Sequence, residues 1–170
     1  MFIERISKKP KELFGRDLFD LVVKAMDRKK YTYTPHRDDL YLSTNFSGDD
    51  LDITVRIRTY PNRTILAFDC PLDFEVDQHS EAEVSIALRE INEINSGINY
   101  GCFTLRGGRI WFRYHYLLTG PISVDDIIGM LEMSVSTVDE YDGKLAQTIK
   151  RRSVPTYADW DGINNRIQIR

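Results

Sequence analysis

The 170-residue sequence is poor in cysteine and has no long apolar run. Its two cysteines, Cys70 and Cys102, form neither a CxxC motif nor a metal-ligand spacing, so we expect small apolar fillers in a reducing compartment. No segment approaches the ~20 apolar residues of a membrane span, and the first residues lack a signal-peptide pattern. The sequence therefore predicts a cytoplasmic protein with no membrane partner.

Charge of one sign is also scarce. The formal net charge is −3 and the pI is about 5.6, which gives no overall attraction to nucleic acid or anionic membranes. Hydrophobic residues make up 42% of the chain, enough for a core without disulfides or metals. We expect one α+β domain over residues 1–152 and a C-terminal tail over residues 153–170, either flexible or docked. Repeats and low-complexity segments are absent from the sequence.

Motifs for catalysis are missing as well. One dense group of possible metal ligands straddles a predicted helix N-terminus, where the helix dipole favours acidic side chains in any case. The three histidines fall in separate elements, and neither serine nor cysteine has a nucleophile motif around it. We therefore predict no catalytic residue, no metal and no cofactor. The residues considered are Asp77, His79, Glu81, Glu83, His36 and His115.

Apolar periodicity predicts a first helix over Lys11–Lys30, followed by three strands. The segment Leu51–Arg58 alternates strictly between apolar and polar residues, which is typical of a half-buried strand. Turn residues on either side of it predict hairpins. Tight closure would place Phe46, Leu42 and Leu40 opposite Leu51, Val55 and Ile57, and would place Ile57, Val55 and Ile53 opposite Leu66, Phe68 and Cys70.

A second helix is predicted over Ser80–Ser96 and a third over Ser123–Arg152. Ser80 and Glu83 have the spacing of a capping box. Ile86 lies far around the second helix from its predicted buried stripe, so it is either tolerated surface or a contact with another subunit. The stripe itself comprises Val84, Ala87, Leu88, Ile91 and Ile94.

The stretch NYGCFTLRGGRIWFRYHYLL, Asn99–Leu118, admits three interpretations: a phosphate loop, an RNA-binding arginine-glycine segment, or a hairpin. A phosphate loop needs a following helix, and arginine-glycine segments are normally repeated. We predict a hairpin, because two glycines supply the positive φ angles of a type I′ turn. Closure pairs Phe103 with Phe112 and Leu105 with Ile110, and it sets Gly101 opposite Tyr114, where the missing side chain makes room for a ring.

The end of the second helix carries Ile91-Asn92-Glu93-Ile94-Asn95. This resembles the apolar-Asn-x-x-Asn signature of the YbjN-like bacterial sensory transduction regulator family. As in that family, a small-residue turn and a hairpin ending in an Arg-aromatic strand follow, here Arg113-Tyr114. The resemblance covers roughly Leu13–Lys150. It implies a fold similar to type III secretion chaperones: helices packed on a twisted antiparallel sheet, often a homodimer, binding protein partners without known catalytic residues.

The outer side of the second hairpin gathers aromatic and aliphatic residues around one Arg and one His, a composition enriched at interface centres. It is either core covered by the third helix or the tail, or a surface for a dimer partner or client. We predict a non-enzymatic protein-binding module, chaperone-like or regulatory, that forms a homodimer and takes a protein or peptide client. The alternative is a nucleic-acid-binding module using Arg56, Arg58 and Arg63 or the 150–152 basic run. The predicted protein-binding residues are Ile86, Ile98, Tyr100, Trp111, Arg113, His115 and Leu117.

Overall fold

A computed structural model describes residues 13–153 of the chain. Three helices, α1 (Gly15–Lys29), α2 (Glu81–Gly97) and α3 (Val124–Ser153), accompany one six-stranded antiparallel sheet in the order β1-β2-β3-β4-β6-β5. The predicted α+β class and element order are confirmed, with one short additional strand, β1, directly after α1. The predicted tail over residues 153–170 lies almost wholly outside the described residues. The strands are β1 (Tyr33–His36), β2 (Tyr41–Ser47), β3 (Asp52–Tyr60), β4 (Arg63–Glu75), β5 (Cys102–Arg106) and β6 (Arg109–Leu117).

The helices cover one face of the sheet. Helix α1 packs on β3, α3 crosses β3, β4 and β6, and α2 lies between α3 and β5. Alternate residues of the strands point into this layer, so Ile57, Phe68 and Phe112 are fully buried beside Leu18 and Leu131. The apolar residues form one continuous core cluster between the sheet and the helices. No described helix is long and apolar enough to cross a membrane.

The register of the first strands differs from the prediction. Phe46 pairs with Ile53 and Leu42 with Ile57, rather than with Leu51 and Val55, because the turn contains four residues instead of closing tightly. Leu40 does not pair as a strand residue; it lies in a turn with φ +53°. A slip of two residues keeps every side chain on its face, so the predicted apolar face survives the error.

The β3–β4 register is shifted in the same way. Ile57 pairs with Phe68 instead of Leu66, and Leu66 pairs with Thr59. An irregularity at Thr59/Tyr60 accounts for the shift, since it adds residues to the turn that the sequence does not mark. The Thr59 hydroxyl donates to the Gly15 carbonyl at 3.0 Å, which joins this bulge to the start of α1.

Helix α2 is rotated relative to the prediction. Leu88, assigned to the buried stripe, is 50% exposed, whereas Ile86 is half-buried against the core. Ala87 and Ile91 are buried as expected. The predicted N-cap is confirmed, because the Ser80 hydroxyl accepts a hydrogen bond from the Glu83 amide at 3.2 Å.

Candidate functional site

The second face of the sheet, which we call the outer face, carries no described helix. Residues that alternate with the core positions form it, and most are polar, charged or aromatic. The register places residues from five strands in rows across it, such as Arg56, Asp69 and Arg113. The outer face comprises Tyr41, Ser43, Asn45, Thr54, Arg56, Arg58, Ile65, Ala67, Asp69, Pro71, Cys102, Thr104, Arg106, Trp111, Arg113, His115 and Leu117.

Strand β4 forms the floor of a groove on this face. Its outward residues Ala67, Asp69 and Pro71 are short, and Ala67 and Pro71 are buried between longer side chains of the neighbouring strands. Arg56 and Arg58 stand on the β3 side, and Trp111, Arg113 and His115 stand on the β6 side. The groove therefore follows from the contrast in side-chain length among three adjacent strands.

The middle of the groove is a concave pocket of about 280 Å³. The guanidinium of Arg56 lies over the Trp111 ring, 5.5 Å from its centroid, a cation–π contact that fixes both side chains. Four arginines face one carboxylate in the lining, so the pocket is positively charged on a chain of net charge −3. The lining residues are Arg56, Arg58, Tyr60, Asp69, Thr104, Arg106, Trp111 and Arg113.

Asp69, the single acidic residue of the pocket, contacts two residues of the neighbouring strand β6. Arg113 Nε donates to Asp69 Oδ1 at 2.9 Å, and His115 Nε2 lies 3.2 Å from the same oxygen. The hydrogen bond to Asp69 raises the pKa of Arg113. Arg56, Arg58 and Arg106 form no ion pair within residues 13–153. Arg56 and Arg58 lie over aromatic rings instead: Arg56 over Trp111, and Arg58 over Tyr41 at 5.1 Å from the ring centroid. These contacts use the face of each guanidinium and leave no carboxylate of the described chain bonded to it.

The structure brings four of the seven predicted site residues together. Trp111, Arg113, His115 and Leu117 follow one another along the outer side of β6, and Leu117 is 60% exposed. The outer side of the second hairpin is therefore not core within the described chain. The Phe103–Phe112 and Leu105–Ile110 pairs, which place these residues, are confirmed.

The other three predicted residues, Ile86, Ile98 and Tyr100, lie elsewhere. All three are half-buried against the core on the helical side, and the Tyr100 hydroxyl accepts a hydrogen bond from Thr137 of α3 at 3.2 Å. The prediction that Ile98 and Tyr100 share a face with Trp111 is wrong. Strand β5 begins only at Cys102, and Gly101, with φ +67°, breaks the alternation before it.

Gly101 makes room for an aromatic ring, as predicted, but the ring is that of Phe112. A Cβ at this position would lie 2.5 Å from Cζ of Phe112, not against Tyr114. Cys102 lies opposite Arg113 on the outer face and is exposed, so it does not fill apolar space as expected. Cys70 is buried as expected, and burial raises the pKa of its thiol.

Sequence reasoning did not connect the arginines of β3 with the second hairpin. Alternation alone indicates that Arg56 and Arg58 point away from the core, but their contact with Trp111 depends on β4 pairing with β6. Of the alternative nucleic-acid set, Arg56 and Arg58 lie in the groove, whereas Lys150 lies 3.6 Å from a Glu83 oxygen on the helical side.

At the β5 edge of the sheet, the side chain of Asn95 forms hydrogen bonds with the strand backbone. The Asn95 side chain donates to the Phe103 carbonyl at 3.0 Å and accepts from the Phe103 amide at 2.8 Å. It thereby occupies both outward-facing backbone groups of this residue in edge strand β5, as a neighbouring strand would. Asn92, the other asparagine of the motif, is exposed.

These features define a class of protein: an α+β module with one sheet face buried under helices and the other face free of any described helix. The chain belongs to the TY-Chap1 family, described as T3SS (YopN, CesT) and YbjN peptide-binding chaperone 1, which matches residues 53–154. The resemblance inferred from the sequence is thus confirmed.

The solved structures that are similar to the chain include those of YbjN and of the ExsC–ExsE complex. The crystal structure of YbjN from E. coli has a TM-score of 0.55 at 11% sequence identity, covering 80% of this chain and 95% of that one. The structure of the ExsC–ExsE complex contains a chain with a TM-score of 0.48 at 12% identity, covering 77% of this chain and 94% of that one. The likeness to YbjN supports the fold. No curated protein matches the sequence.

Proposed function

We propose that this protein is a non-enzymatic, chaperone-like module that binds a peptide segment of a client protein in the groove of the outer face. Membership of a peptide-binding chaperone family supports the class of partner. The observation that carries the choice of surface is the groove along β4, which no described helix covers. Ile65 and Leu117 form its apolar end, and Trp111 stands at the opposite end, beside Pro71.

The dimensions of the groove suit an extended segment. From Pro71 to Ile65, strand β4 spans about 20 Å at 3.3 Å per residue, which matches a peptide of roughly six residues. Addition of a client strand to the β5 edge is the competing mode of peptide binding. Asn95 opposes that mode, since it already bonds both outward groups of Phe103. The remaining edge strand, β1, has four residues and contains Pro35, which has no amide donor.

Fluorescence of Trp111 tests this proposal directly. Replacing Trp160, the second tryptophan of the sequence, by Phe leaves Trp111 as the single indole reporter. Titration with a set of capped seven-residue peptides of mixed apolar and polar composition should shift the Trp111 emission in a saturable way. Leu117→Asp should weaken binding about tenfold, as expected for a charge introduced into an apolar contact.

Leu88→Asp is the matched control for this experiment. Leu88 is 50% exposed, similar to Leu117, but lies on α2 away from the outer face. It should leave the titration unchanged. Equal losses in both variants, or saturable binding without any response of Trp111, would exclude the groove as the binding surface.

The homodimer is a separate proposal. It rests on the partly exposed apolar residues of the outer face, and Trp111→Ala combined with Leu117→Asp should weaken self-association. Light scattering over a wide concentration range provides the measurement. A particle that stays monomeric at every concentration would contradict the dimer and would leave peptide binding by the single chain untouched.

A further inference from the structure

We propose that the groove selects client segments that are acidic, with an apolar residue beside the acidic ones. This inference rests on the proposed peptide-binding function and specifies the chemistry of the ligand. It starts from the charge of the pocket: four arginines and one aspartate line it, and the aspartate is already paired with Arg113. Positive charge is therefore in excess at the centre of a surface whose parent chain is acidic overall.

The arginines are arranged to receive carboxylates from an extended chain. Arg56 and Arg58 are two residues apart on β3, so both point to the outer face at one wall of the groove. Arg106 lines the same pocket from β5, beyond Trp111. A guanidinium presents a planar fork of donors that matches a carboxylate in two parallel hydrogen bonds. A segment lying over β4 would thus meet donors on both of its sides.

The apolar requirement comes from the end of the groove. Ile65 and Leu117 are cross-strand partners on the outer face, and Leu117 is the most exposed large apolar residue of the described chain. They lie along β4 and β6 from the arginine pocket, beyond Ala67 and His115. One apolar side chain of the client, placed there, would bury Leu117 while its acidic neighbours reach Arg56 and Arg58.

Nucleic acid fits the same pocket less well. Arg56 already covers a face of the Trp111 ring, so a base could stack there only by displacing it. Three arginines without an ion pair in the described chain also offer fewer phosphate contacts than the 6–10 made by nucleic-acid-binding proteins with a steep salt dependence.

The test compares three capped heptapeptides in which one residue type alternates with valine and phenylalanine: glutamate, glutamine or lysine. The Trp111 reporter chain should bind the glutamate peptide about tenfold more tightly than the glutamine peptide, because two or more partly exposed ion pairs are added. Arg58→Gln with Arg106→Gln should reduce that preference to about twofold or less, measured as the ratio of the Kd values of the two peptides. This pair spares the Arg56–Trp111 and Arg113–Asp69 contacts.

The control variant removes the same charge elsewhere. Arg16→Gln with Lys24→Gln alters two exposed residues of α1, on the helical side, and should keep the glutamate preference. Glutamine and glutamate peptides that bind equally would overturn the acidic selectivity while leaving peptide binding in place. Failure of all three peptides would overturn the proposed function with it. Tighter binding of a ten-residue oligothymidylate, lost in the Arg58/Arg106 variant, would instead assign the pocket to nucleic acid.

Discussion

Each strand contributes side chains to both faces of the sheet, and the two faces differ in how deeply these side chains are buried. On β6, Phe112 is fully buried beneath the helices, while its neighbour Trp111 lies half-buried on the outer face under Arg56. On β4, Phe68 is buried in the core and Asp69 binds Arg113 on the other side. The two-residue alternation of a strand therefore separates residues buried in the core from residues on the partly exposed outer face.

Because of this separation, the residues of the outer face can vary more freely than those of the helical face. Most outer residues are only partly buried, so substitutions there cost less stability than substitutions in the core. The helical face lacks this freedom, because each side chain there contacts several others in one continuous core. A change of ligand preference is therefore compatible with an unchanged fold.

The largest change in stability is expected on β6, where substitutions of the neighbouring residues Phe112 and Trp111 can be compared directly. Phe112→Ala should lower the free energy of unfolding by about 3–5 kcal/mol, the usual cost of deleting a buried aromatic ring. Trp111→Ala should cost about 1–2 kcal/mol, since its ring is only half-buried. Urea unfolding followed by circular dichroism gives both values. Equal losses would mean that the outer face is part of the core.

The sequence predicts which face of the sheet a strand residue occupies better than it predicts the register between neighbouring strands. The Gly107-Gly108 turn has φ angles of +58° and +70° at its two glycines, so the β5–β6 register could be read without error. The β2–β3 and β3–β4 turns have no such marker, and their registers slip by two residues. A slip of two preserves the face, which explains why the core residues of these strands are nevertheless correct.

The candidate site was predictable only within one hairpin. Trp111, Arg113, His115 and Leu117 are placed by local pairing with β5, whereas the contribution of Arg56 and Arg58 requires the strand order β3-β4-β6. That order is set by long-range packing, which no local pattern in the sequence encodes. The predicted position of Tyr100 is wrong for a local reason. Gly101 has a left-handed backbone conformation, which breaks the strand alternation before β5.

A second prediction concerns a carboxyl group on the helical face. Burial raises the pKa of Asp142 to about 6; the hydrogen bond from the Gly143 amide opposes the shift, and Asp139 and Asp50 add to it. The folded-state pKa thus lies above the unfolded value, so the folded protein holds this proton more tightly. Its stability should fall as pH rises from about 4 through 6, by on the order of 2–3 kcal/mol from this group.

Asp142→Asn should remove this pH dependence. The variant would be compared with the parent chain by chemical unfolding at pH 4, 5, 6 and 7, and its advantage should grow steadily with pH. Asp39→Asn, at an exposed carboxylate in the β1–β2 turn, is the control and should follow the parent chain. A constant difference between Asp142→Asn and the parent at every pH would show that the carboxyl does not titrate in this range.

The smallest effect is expected at the β5 edge, where the two faces meet. Asn95→Ala removes both hydrogen bonds to Phe103 and should lower the free energy of unfolding by about 1–3 kcal/mol, because partly buried backbone groups lose their partner. Asn92→Ala, on the exposed side of the same motif, should change it by less than about 0.5 kcal/mol.

Asn95→Asp separates the two hydrogen bonds. A carboxylate still accepts from the Phe103 amide but has no donor for the Phe103 carbonyl, and it places negative charge against that oxygen. We therefore expect Asn95→Asp to be at least as destabilising as Asn95→Ala at pH 7 and to recover part of the loss at pH 3, after correction for the parent chain at each pH. Since the amide also covers a strand edge, both variants should associate more readily at high concentration, which light scattering measures. If Asn95→Ala and Asn92→Ala instead behave alike, the Asn95 amide contributes nothing to the edge, and strand addition at β5 becomes the better account of peptide binding.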